Sequence, residues 1–304
     1  MDLSLVETIA LPPLERFKED DDVFLTKLVA LVKNESNYPL IPPVVSSLSQ
    51  DYFHIYLQYN LLFVPLSEGD SLLHLPDLYH ELGHPLLQID KPLPRVAPFQ
   101  QAWFEALELV ANYIRDEKQK EDRKRGPIQY HYYLQIWEKA WFKSWLIEFF
   151  CDLYALYTIG PAFAWAHLHL WAKLGRNSFQ VPTMTLSSHP ADDARMQVML
   201  TGLRNVGFHQ ESETIKKRWE EMNAISGFKP EPEYYRCFPP SLLESLTKKA
   251  LDGIKMMGGR IADSTTNDPI YNIINQAWIQ FWKDPMEYAN WERSAVSDLR
   301  KLCK

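Results

Sequence analysis

The stretch from 145 to 172, WLIEFFCDLYALYTIGPAFAWAHLHLWA, contains no Lys or Arg and is apolar at nearly every position. A helical segment that is apolar all round has no face to offer water, so it either crosses a bilayer or is enclosed by other elements. Gly160-Pro161 breaks the tract in its middle, and Glu148 and Asp152 stand in its first half. Carboxylates are costly in a bilayer, whereas a helix buried in protein can offer them to a metal ion. The expectation is two helices, 128–159 and 161–174, buried in a soluble, helix-rich protein with no membrane span.

The chain of 304 residues, 46% hydrophobic, has material for one large domain or two small ones. Aromatic residues make up 13% of it, ten of them Trp, which suits the packing of many helices; each Trp reads first as core. Net charge is -7, and the one prominent charge run, RDEKQKEDRKR at 115–125, mixes both signs. Direct contact with nucleic acid is therefore not expected. Cys151, Cys237 and Cys303 are far apart and lack CxxC spacing, which excludes a disulfide framework and a cysteine metal site. A reducing, cytoplasmic location fits them. The start, MDLSLVETIALPP, holds Asp2 and Glu7 and lacks the basic opening of a secretion signal.

Periodicity and breakers divide the rest. Residues 14–34 read as a helix stopped by the prolines at 39, 42 and 43. NLLFVPL, 60–66, reads as a strand, and Pro65 assigns it to the edge of a sheet. A helix starting at Pro76-Asp77 carries HELGH, and FQQAWFEALELVANYIRDEKQ forms another from 99 to 119. Further helices are expected at about 190–205, 210–224, 240–257 and 268–302. The fold class is mainly α with a small β-sheet (α+β), divided as 1–57, an N-terminal helical extension; 58–205, a core; and 206–304, a C-terminal helical region. No repeat or low-complexity tract is visible.

In HELGH, His80 and His84 are four residues apart and project from one helix face, so each can place a ring nitrogen on the same metal ion. Glu81 lies one step round, where a carboxylate can accept a proton from a water on that metal. A hydrolytic zinc site needs a third protein ligand. Glu148 is the best candidate, and Asp152, one turn on, can accept the remaining ring N–H of a ligating histidine. His167 and His169 are less suited, being two apart and beyond the Gly-Pro break, and read as packing or surface residues. In SSHPADDAR, His189 or Arg195 can supply a donor to a developing oxyanion.

Taken together, HELGH, the ExxxD of Glu148 and Asp152, and SHPADDAR resemble the gluzincin metallopeptidases, most closely the group of HtpX-like proteases and CAAX-prenyl endopeptidases. The resemblance covers roughly residues 58–205. It implies a zincin-like core with additional terminal helices. It further implies that His80, His84 and Glu148 bind zinc, that Glu81 is the general base and that Asp152 supports a ligand. His189 would stabilise the transition state, and Arg195 would be a supporting ion-pair or substrate residue. Those relatives cross the membrane several times, unlike the reading of this chain. The expected function is zinc-dependent hydrolysis of a protein or peptide substrate. The rival reading is a catalytically silent or partner-regulated zincin fold acting as scaffold or regulatory module. Terminal helices that form a lid or partner surface leave room for a regulatory protein, and an intact Glu81 favours the enzyme.

Overall fold

The computed structural model describes residues 20–49, 52–65, 68–88, 93–124 and 128–304. The first helix, α1 (Asp20–Ser36), ends in a Schellman turn: Asn37 takes a left-handed φ of 54°, and the N–H of Tyr38 donates to the carbonyl of Lys33. The expected start of this helix at 14 lies outside the described residues. Three strands follow, β1 (Val44–Ser49), β2 (His54–Tyr56) and β3 (Leu61–Pro65), in the order β1-β3-β2. β1 pairs parallel and β2 antiparallel with β3.

The strand expected at the sheet edge is therefore central. Leu61, Leu62 and Val64 are buried, and Pro65 is tolerated because it is the last residue of β3, where the register against β1 has already slipped. β2, beside the HELGH helix, is an outer strand instead. The expected boundary at 57/58 falls between β2 and β3 of this one sheet.

The helices are α2 (Pro76–Gln88), α3 (Ala97–Lys124), α4 (Ile128–Ala140), α5 (Leu146–Ile159), α6 (Pro161–Leu174), α7 (Asp192–Asn205), α8 (His209–Ser226), α9 (Pro232–Cys237), α10 (Pro240–Met257), α11 (Pro269–Lys283) and α12 (Tyr288–Leu302). The stretch expected as one helix at 128–159 holds a π turn at Trp141–Trp145 between α4 and α5. The stretch at 268–302 is two helices. Asp284-Pro285 breaks it, with the Asp284 carboxylate accepting the N–H groups of Met286 and Glu287.

α5 is the centre of the molecule, as its apolar sequence requires: every residue from Leu146 to Ile159 except Ile147 is buried. α2, α6, α7 and α10 pack around it. Among the described residues no helix is long and apolar enough to cross a membrane. One cluster of buried apolar side chains runs from Phe24 to Cys303, so the C-terminal helices share the core of the rest.

Gly83, inside HELGH, sets how closely α2 approaches α5. A methyl group there would lie 2.8 Å from the Cα and 3.0 Å from the Sγ of Cys151. The nearest obstacle is a backbone atom, which cannot rotate aside. Gly83→Ala is expected to cost about 3 kcal/mol in chemical denaturation, because it forces the two helices of the site apart. An Ala variant as stable as wild type would show that the helices have slack there.

Candidate metal centre

α2 presents His80, Glu81 and His84 together. Their candidate ligand atoms all lie within 4.8 Å of one another, and the two imidazole rings are 5.1 Å apart between centroids. This is the tight group among the described residues; Glu148 joins it from α5. Glu148 Oε2 is 3.4 Å from His80 Nε2 and 3.6 Å from His189 Nε2. That oxygen is buried, yet no hydrogen bond satisfies it. A buried carboxylate oxygen left without a donor is costly, and a cation between it and the imidazole nitrogens removes the cost. The donor set of two imidazoles and one carboxylate fits zinc.

Asp152 holds the arrangement from behind. Its Oδ1 accepts the Nδ1–H of His80 at 2.9 Å, which leaves Nε2 directed at Glu148. Arg195 donates to both oxygens of Asp152, from Nε at 2.7 Å and from a terminal nitrogen at 2.5 Å. Of the two roles expected for Arg195, the buried geometry supplies the ion pair. Asp152 is fully buried, and although burial alone would raise its pKa, Arg195 and then His80 hold it well below the usual carboxylate range.

The protonation states follow from burial and neighbours. Burial would depress His80, but the carboxylates of Asp152 and Glu148 beside its two ring nitrogens outweigh it and raise its pKa to about 10. The imidazolium thus stands between two carboxylates, Asp152 at Nδ1 and Glu148 at Nε2, and a metal at Nε2 would take the place of the proton there. Burial, reinforced by His80, lowers His84 to about 4, the neutral form that ligates metals. Glu148 is lowered to about 2, burial being overcome by His80. Glu81 rises to about 8, chiefly through burial; His80 and the Ile55 N–H of β2 act in the opposite direction. A metal cation would favour the ionised form of Glu81 further.

His189 sits on the exposed loop before α7, its Nδ1 paired with Ser188 Oγ at 2.9 Å. His167 and His169 are not drawn into the group of candidate ligands. His167 Nε2 donates to the Asp192 carbonyl at 3.0 Å, and His169 meets Trp278 and Phe281 edge to face. A cleft of about 300 Å³ opens beside His80 and Glu81, walled by Tyr52, Phe163, His167, Leu170 and Arg176. Tyr52 OH donates to Asp77 Oδ2 at 2.6 Å across that wall. Tyr52, Gly83 and Cys151 were missed in the sequence. Only Gly83 had a signal there, a glycine inside a helical pattern, which lowers helix stability unless close packing requires it.

No protein-family model, curated protein or solved structure matches the chain.

Proposed function

We propose that this protein is a zinc-dependent endopeptidase. The observation that supports the reading best is the buried, unsatisfied Glu148 Oε2 beside His80 Nε2, next to a second imidazole from the same helix face. Zinc held by His80, His84 and Glu148 would polarise a scissile carbonyl and lower the pKa of a coordinated water. Glu81 takes the proton of the attacking water and delivers it to the leaving amine. His189 donates to the developing oxyanion, and Asp152 with Arg195 keeps His80 in its ligating tautomer.

A peptide suits the outer strand β2, which borders α2 and turns the N–H of Ile55 towards Glu81. An extended chain added to that edge would pass beside the metal ligands, with alternate side chains facing the enzyme. β3 cannot take this part, because both of its sides are already paired. The three cysteines are unpaired and buried, in keeping with a reducing cytoplasm.

Metal analysis of the purified chain is expected to find one zinc per molecule, with much less in His84→Ala. Equal zinc in both proteins would remove HELGH from the site. Zinc without cleavage of any peptide in a random library would favour a structural or scaffold role instead.

A further inference from the structure

Three tryptophans, Trp137, Trp141 and Trp145, recur at every fourth position from α4 through the π turn, and all three are fully buried. Each donates its indole N–H to a main-chain carbonyl distant in sequence: Trp137 to Pro182 at 3.0 Å, Trp141 to Cys237 at 3.2 Å and Trp145 to Ser187 at 3.0 Å. Pro182 and Ser187 belong to the irregular loop that carries His189. A four-residue step in an α-helix overshoots a full turn by roughly 40°. The wider π turn, closed from i to i+5, takes more residues per revolution, so a four-residue step through it falls short. The two deviations oppose one another. Trp145 therefore returns to the side of Trp137 and reaches the same loop, whereas Trp141, between them, reaches a different segment.

Ser187 is braced a second time, because its hydroxyl donates to the carbonyl of His189 at 2.7 Å. Trp145 is also one turn before Glu148 on the same continuous helix. The residue that anchors the loop and the carboxylate facing His189 are thus mounted on one rigid element. We infer that Trp145, acting through Ser187, is a positioning residue that sets the ring of His189 against Glu148, and that the π turn exists to aim its indole N–H. This rests on the hydrolytic reading only for its consequence in catalysis; the placement of the ring is a property of the metal-free chain.

The test uses the full chain with isotope-labelled histidine, its imidazole signals assigned with His189→Ala. In Trp145→Phe, which keeps a ring but deletes the N–H, the His189 ring signal is expected to shift and broaden while those of His80 and His84 stay in place. Replacing Trp145 with benzothienylalanine, an isostere that carries sulfur in place of the N–H, is expected to do the same and decides the matter if the Phe variant fails to fold; Ser187→Ala keeps the carbonyl that Trp145 bonds and tests only the second brace, the hydroxyl bond to His189. Trp137→Phe, which removes a bond to Pro182, further from His189 along the loop, is expected to leave His189 unchanged. In the zinc-loaded enzyme, Trp145→Phe should lower kcat about 10-fold with KM and zinc content retained, and should have no further effect in a His189→Ala background. An unchanged His189 signal in the Trp145 variants, or equal kcat losses in both backgrounds, would overturn the inference. A wild-type chain that neither holds zinc nor cleaves peptides would defeat the hydrolytic reading alone, since the ring signals still decide the positioning.

Discussion

Glu81→Gln is expected to lower peptide hydrolysis by about 10²- to 10⁴-fold while zinc content stays at the wild-type level. Gln has the shape of Glu and can still accept the Ile55 N–H, but it cannot take a proton from water. The same substitution has a signature in stability. The folded chain without metal keeps a proton on Glu81 up to about pH 8, whereas an unfolded carboxyl has lost it by the ordinary carboxylate range. Across that window the folded state binds more protons than the unfolded state, so the contribution of Glu81 makes stability fall as pH rises. The Gln variant should lose this contribution, and its metal-free form should melt higher than wild type at pH 9. Hydrolysis at the wild-type rate by a zinc-loaded Gln variant would exclude Glu81 as the base.

Arg195→Met is expected to destabilise the fold by about 3–5 kcal/mol in urea unfolding, the usual consequence of removing one partner from a buried ion pair. The guanidinium holds both oxygens of Asp152, which has no access to solvent, and His80 is the other group hydrogen-bonded to that carboxylate. Asp152 is held below its ordinary pKa, so the pair stabilises the fold above the ordinary carboxylate range. That contribution is lost only as the pH falls through the depressed folded value. Zinc should also be held more weakly, on the scale of about 10-fold or more known for losses behind a ligating histidine. Asp152→Asn combined with Arg195→Met should cost less than the sum of the two single changes, since the charges are coupled. Additive losses, or an Arg195→Met variant within 1 kcal/mol of wild type (about fivefold in the folding equilibrium), would mean that the pair is not the support described.

What could be read from the sequence was local. The 3.6-residue period places His80 and His84 on one face of α2 whatever surrounds them, and also sets Glu148 and Asp152 one turn apart on α5. An apolar tract with a Gly-Pro break has to become two enclosed helices, and it did. Breakers also located most helix ends, because a proline or a left-handed residue acts within its own turn.

The tertiary structure decided the rest, since those relations join residues with no local signal for one another. Which strand is central depends on β1, which is contributed by residues before the expected core boundary and pairs with β3. Asp152 meets His80 across 72 positions and Arg195 across 43, and a lone carboxylate in an apolar helix does not reveal which cation neutralises it. The tryptophans are the clearest case: composition assigned them to the core, where their rings do lie. The use made of each indole N–H depended on a π turn that no residue pattern announced and on the carbonyl that the fold brought within reach.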